Sequence, residues 1–225
     1  MKTPFLSLCA AVYMLLVLPS CNNPVPDASK AKPETEQVLD DNDCPPEGNA
    51  KSERVRELNK LKNRQQDPTP SDFDPALTLE ALLEPGDDIS RWSVSRAGRI
   101  SGYVYDVKVG GDETCNCKAI DKIHRDTHIE LVVDPEDAAK TRRMVVEVTP
   151  RMRNKMKLVG QDWSTPHLRD ALLGRWVEIE GWLLFDEEHR QEAENTNPGR
   201  ERNWRATAWE IHPATKITVI PRPRR

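Results

Sequence analysis

RISGYVYDVKV (99–109) decides the fold. Tyr103, Tyr105, Val107 and Val109 fall on one face of this stretch and Ile100 and Val104 on the other, a period of two that predicts a long strand. Gly102 lies inside it and permits a bend, and Gly110-Gly111-Asp112 ends it with a turn signal. The same alternation recurs downstream. Residues 127–133 place Ile129, Leu131 and Val133 on one face and His128 and Glu130 on the other, and residues 142–148 set Met144, Val146 and Val148 against Val145 and Glu147. Asp134-Pro135 and Thr149-Pro150 close these two strands. Residues 151–173 read as irregular, then as one helix that starts at Thr165-Pro166, carries Leu168, Leu172 and Leu173, and stops at Gly174. A fourth strand follows over 175–185, with Val177, Ile179, Leu183 and Phe185 facing a core and Gly181 placed as at a bulge. A polar loop over 186–202 leads to a fifth strand over 204–211, and 216–220 is a candidate sixth.

The order within residues 91–220 is three strands, one helix, two strands. It resembles the OB-fold, a mainly β, five-stranded barrel with a helix between strands three and four. The resemblance implies a first strand that bends to pair on both sides, and ligand binding over strands two and three. GGDETCNC (110–117), DTHIEL (126–131) and NWRATAWEIHP (203–213) are similar to stretches of an uncharacterised secreted bacterial family, a likeness that implies no activity.

The N-terminal part is of another kind. Residues 22–89 carry a net charge of -8, whereas residues 90–225 carry +3, too small a surplus to argue for nucleic acid by itself. Residues 22–50 are rich in Pro, Asp, Glu, Asn and Lys and read as a disordered tether. Within 51–90 two short helices are expected: 51–66, with a narrow stripe of Val55, Leu58 and Leu61, and 76–83, with Leu77, Leu79, Leu82 and Leu83. They form a stalk or docking segment. Residues 221–225 read as a disordered basic tail.

Met1-Lys2 and the apolar run 5–18 have the form of a signal peptide over 1–20, too short for a transmembrane span. The run ends in Leu18-Pro19-Ser20-Cys21, which resembles the bacterial lipobox. That resemblance implies cleavage before Cys21 and its diacylation. Asn22 after the cysteine resembles lipoproteins sorted to an outer membrane, facing the periplasm or the exterior. An ordinary cleaved signal peptide is the other reading.

Three groups of residues carry chemistry. Cys115, Cys117, His124 and His128 have the donor types that zinc prefers, although C-x-C is not the usual knuckle spacing. In an oxidising compartment a disulfide from one of these cysteines to Cys44, or free thiols, ranks above the metal. His128, Glu130, Glu147, Glu210 and His212 all project from non-core strand faces and can converge if the barrel order holds. Such a set can bind a divalent metal and activate water, while a solvated polar sheet face is the plainer reading. Finally, Arg142, Arg143, Arg151, Arg153, Lys155 and Lys157 accompany Trp163, Trp176, Trp182 and Trp204. An extended 151–157 would put four cations on one side of a single-strand-binding groove; packing is the commoner use of the tryptophans.

The expectation is a lipid-anchored envelope lipoprotein presenting an OB-like binding module, with a glycan, protein or nucleic acid as ligand and no catalytic residue assigned. Its surface would be His128, Glu130, Arg142, Arg143, Trp204, Arg205 and His212, or the loops 112–126 and 186–203. The rival readings are a metal-dependent hydrolase centred on His128 and His212, and a structural envelope protein.

Overall fold

A computed structural model describes residues 41–137 and 139–223. Five strands, β1 (Ala97–Val109), β2 (Thr127–Val132), β3 (Met144–Val148), β4 (Trp176–Phe185) and β5 (Trp209–Ile220), close into an OB-like barrel in the order β1-β2-β3-β5-β4. The helices are α1 (Glu53–Lys62), α2 (Leu79–Leu83), α3 (Pro150–Leu158) and α4 (Thr165–Leu172).

β1 serves two neighbours. Its first half pairs with β4, from Ala97↔Trp182 to Tyr103↔Trp176, and its second half with β2, ending at Val109↔Thr127. Gly102 marks the changeover. A Cβ there would lie 2.6 Å from Leu79 Cδ2 and 3.3 Å from Leu131 Cβ, so a side chain would collide with the α2 plug. A bulge between Val104 and Asp106 then shifts the register. This corrects the strict alternation expected for β1: Val104 and Val107 both turn into the core, because the extra residue reverses the parity.

Inside the barrel, Ile100, Ile129, Leu131, Met144, Val146, Val177, Ile179, Leu183 and Ile211 are fully buried. Leu77, Leu79 and Leu82 join the same cluster and close one end of it. Each such side chain contributes roughly 1.5–3 kcal/mol by leaving water. Gly181 sits at a register shift between β4 and β5, where a Cβ would meet Pro213 O at 2.4 Å, in accord with the bulge expected there.

Three segments differ from expectation. Two helices, not one, separate β3 and β4. Residues 150–158 are helical because Thr149 caps the segment, accepting from Met152 N–H, and Pro150 occupies the first turn. β5 is one continuous strand that begins at Trp209 rather than 204; its first half runs parallel to β3 and most of its length antiparallel to β4. Of the expected tether, residues 41–50 are folded onto the domain, and residues 22–40 lie outside the described residues, as do the signal peptide and Cys21.

Cys44 ties that segment down through a disulfide to Cys117, with the Cα atoms 5.8 Å apart. The Arg151 guanidinium donates to the Cys44 carbonyl and, at 2.9 Å, to Asn63 Oδ1. The bridge spans 73 residues. Cys44→Ser should therefore lower the unfolding free energy in urea by about 4 kcal/mol through the freed denatured chain. A loss under about 1 kcal/mol would show that the segment is held by its other contacts alone.

Candidate functional site

The outer face of β2, β3 and β5 is the unusual part of the barrel. Period two sends Ile129, Val146 and Ile211 inward, and so sends His128, Glu130, Glu147, Glu210 and His212 outward. Strand register then gathers them. His128 pairs with Glu147 across β2–β3 and with Lys108 across β1–β2, while Val145 stands between Glu130 on one side and Glu210 on the other. The structure thus brings together all five residues that the sequence left as a diffuse set. It overturns the expectation that they are solvated, since each is buried.

The cover comes from α1 and from the loops after β1 and β4. Lys62, on α1, is 1% exposed and donates to Glu113 Oε2 at 2.5 Å, with Asp186 Oδ1 at 3.8 Å. Asn59 donates to Glu47 O and Thr114 Oγ1, Asn63 donates to Pro46 O and Cys115 O, and Arg64 donates to the carbonyls of Val94, Leu183 and His212. Arg205 is buried between Asp186 Oδ2 at 3.3 Å and Glu210 Oε2 at 3.0 Å. His212 Nδ1 lies 3.0 Å from Glu210 Oε1, and its Nε2 lies 3.8 Å from Asp126 Oδ2.

A cleft of about 370 Å³ enters this layer from solvent. Lys108, Gly110, Glu113, His128, Glu147, Asp186, His189, Trp204, Arg205 and Glu210 line it. The Trp204 indole donates to Glu192 Oε2 at 2.5 Å and lies against the rings of His128 and His189, at centroid separations of 5.4 and 6.3 Å. Two buried atoms on its lining side chains have no hydrogen-bond partner, His128 Nε2 and Glu147 Oε2. The former is 3.5 Å from Glu130 Oε1, a charge contact outside hydrogen-bond geometry.

Charge in the layer is organised by alternation. Burial opposes the His128 imidazolium, but Glu130 and Glu147 (Nδ1 to Oε1, 3.1 Å) raise its pKa to about 9. Burial likewise opposes ionisation of Glu130, and His128, Lys108 and Arg143 overcome it, holding the carboxyl well below the usual range. Against the same penalty, Lys62, His189 and Arg205 keep Asp186 ionised, and the Asp186 hydrogen bond raises His189 to about 9. Asp126 is the exception. Burial pushes it up to about 7, His212 pulls it down, and Glu147 and Glu113 add to the rise.

The remaining expectations separate cleanly. Arg143 belongs to the cluster: it donates to Glu130 Oε2 at 2.7 Å and lies 3.9 Å over the Tyr105 ring. Arg142 does not; it is exposed, pairs with Asp137 at 3.2 Å and lines a separate groove beside α2. The Cys115, Cys117, His124, His128 metal set is not assembled. Cys117 is in the disulfide, Cys115 is a buried thiol that burial and neighbouring carboxylates push well above its usual pKa, and His124 faces Asp41 at 2.8 Å. Among the described residues no group of three or more His, Cys, Asp or Glu side chains is placed to hold a metal ion. The four-cation edge is also corrected. On α3, Arg151 is buried, Arg153 donates to loop carbonyls, Lys155 pairs with Asp67, and Lys157 is exposed. Of Trp163, Trp176, Trp182 and Trp204, Trp204 lines the cleft.

Sequence reasoning missed Lys62, Asn59, Asn63 and Arg64, and reached Glu113 and Asp126 only as part of the loop 112–126. Spacing offered a signal for two of them: Val55, Asn59 and Lys62 stand at i, i+4 and i+7, one helix face that continues the apolar stripe with polar groups. Comparison of the chain with protein families finds no matching family, and no curated protein matches it.

The layer sets the pH dependence of stability. The folded pKa values of His128 and His189 lie above the unfolded value of ~6.5, so their contribution is complete below that pH and is lost as pH rises through about 9. Asp126 lowers stability between roughly pH 4 and 7, because the folded chain keeps a proton that the unfolded chain releases. Asp186 and Glu130, held low, contribute above about pH 4 and lose that contribution in acid. The melting temperature should peak in mild acid and fall by several degrees from pH 7 to 9.5, less steeply in His128→Gln. An equal slope in both proteins would remove His128 as a source.

Proposed function

We propose that this protein is a lipid-anchored envelope lipoprotein whose barrel is a binding module, with the cleft over β2–β3–β5 taking a small saccharide. The observation that carries the reading is the pair His128 Nε2 and Glu147 Oε2, a donor and an acceptor on adjacent side chains, both buried beside an open cleft and neither in a hydrogen bond, Nε2 having only the charge contact to Glu130. A sugar hydroxyl is at once donor and acceptor and satisfies both atoms. The Trp204 ring, fixed through its indole N–H, supplies the apolar face on which a sugar ring stacks. The volume falls in the range of small-molecule sites.

The lining argues against a nucleic-acid backbone. Carboxylates of Glu113, Glu147, Asp186 and Glu210 are interspersed with Lys108, Arg205 and the two imidazoles, so no cationic track runs along the cleft. Hydrolysis centred on His128 and His212 has less support, because His212 is buried behind Glu210 and does not line the cleft. The anchor is inferred from the sequence of residues 1–22 alone. No helix among the described residues is long and apolar enough to cross a membrane.

Calorimetric titration with soluble peptidoglycan fragments and envelope oligosaccharides tests the cleft. Binding should weaken at least tenfold in Trp204→Ala and in Glu147→Gln, both of which should retain the barrel's circular dichroism. Affinity for no saccharide, or affinity untouched by both changes, would contradict the reading. For the anchor, the chain expressed in a bacterium should take up an alkyne-tagged fatty acid and partition into detergent, and Cys21→Ser should do neither.

A further inference from the structure

The loop 118–125 and the end of α3 carry large apolar side chains that the fold leaves in water. Ile120 is 93% exposed, Ile123 66%, Leu158 73% and Val159 67%. Ile120, Ile123 and Leu158 lie on the loop side of α3, whereas Val159 lines a separate groove with Lys155, Met156 and Trp163. Arg153 of α3 donates to the carbonyls of Ile123 at 2.7 Å and Arg125 at 2.5 Å, which fixes the loop against the helix. Leu158 stands four residues after Asn154, on the same helix face and one turn further on.

Cations surround these residues. Lys118 and Lys122 on the loop and Lys157 on the helix are exposed, and Arg125 is half-buried. Asp121 is the one carboxylate between residues 118 and 125. Isolated exposed apolar residues need no explanation, but three together with a basic rim have the form of a docking surface.

Where the chain leaves the described region identifies the occupant. Asp41 Oδ2 lies 2.8 Å from His124 Nδ1, and Asn154 Nδ2 donates to Asp41 Oδ1 at 3.3 Å. His124 adjoins Ile123, and Asn154 underlies Leu158. The chain that runs back toward Cys21 therefore starts in the middle of this patch. Nineteen residues lie between Cys21 and Asp41.

We propose that the patch of Ile120, Ile123 and Leu158, with Lys118, Lys122 and Lys157, docks the domain on an anionic phospholipid surface at the root of its own tether. The assignment rests on the anchor reading for its orientation, while the patch chemistry stands apart from it. Apolar side chains enter the acyl boundary and the ammonium groups pair with lipid phosphates. A tether attached at the same spot raises the local concentration of the surface, so a weak contact suffices.

The test uses the chain from residue 21 to 225 with Cys21→Ser, so that no acyl group contributes. Co-sedimentation with vesicles of phosphatidylcholine containing phosphatidylglycerol should exceed that with phosphatidylcholine alone by at least tenfold, and should fall with added salt. Ile123→Asp with Leu158→Asp should abolish it, as should Lys118→Gln with Lys122→Gln and Lys157→Gln; all five positions are exposed and their replacement spares the core. Equal sedimentation of wild type and both variants overturns the proposal. Binding that emerges only when residues 21–37 are removed would assign the patch to the acidic tether, and concentration-dependent dimerisation lost in the Asp variant would assign it to a second copy; either result overturns it too. Fatty-acid labelling of the unmutated chain separates the two ideas: a labelled chain whose Cys21→Ser form ignores vesicles refutes docking alone, and an unlabelled chain whose Cys21→Ser form binds them refutes the anchor alone.

Discussion

The structure depends on keeping charges of opposite sign in alternation within a layer closed off from water. Arg205 stands between Asp186 and Glu210, Lys62 between Glu113 and Asp186, and His128 between Glu130 and Glu147. Taking one such ion from water costs several kcal/mol, so each needs a partner close by. Removing one member leaves its neighbour buried and unpaired, a loss of about 3–5 kcal/mol. An apolar layer of the same volume would hold the barrel together as well or better. The charges are therefore better explained by the cleft they line than by the fold they cover.

The roof follows from the same requirement. α1 presents Asn59, Lys62 and Asn63 to the barrel rather than a leucine seam, because the surface below it is ionic. A polar interface of this kind adds little net stability for its size, since each bond replaces one made to water. The Cys44–Cys117 disulfide compensates by tying residues 41–50 to the loop that carries Glu113 and Cys115. Walls held in this way are preorganised, and ordering costs on binding are correspondingly smaller.

The barrel was legible because period two is a strong signal over the four strands β1 to β4 and because Gly102 and Gly181 punctuate it at the points where a Cβ cannot fit. The bulge after Val104 was not legible; one extra residue reverses the face without leaving a mark on composition. Residues 151–158 read as irregular although Thr149-Pro150, taken as a strand end, is equally a helix start. In the site, alternation alone placed His128, Glu130, Glu147, Glu210 and His212 on one side. Their burial was hidden because it comes from α1, which ends more than 60 residues before β2, and from two loops that fold back over the sheet, and no local pattern encodes those contacts. Lys62 and Asn59 escaped notice because a search for apolar stripes passes over polar residues that finish one.

The central claim is that His128 is a buried imidazolium held between two carboxylates at the floor of an open cleft. Following its ring resonances by NMR across pH 5 to 10, in the unliganded protein, tests this directly. A midpoint near 9 for His128 agrees with the account. A midpoint near the ~6.5 of a solvated imidazole would mean that the layer is wet and unpaired, and the cleft would lose the basis on which it is assigned as a site.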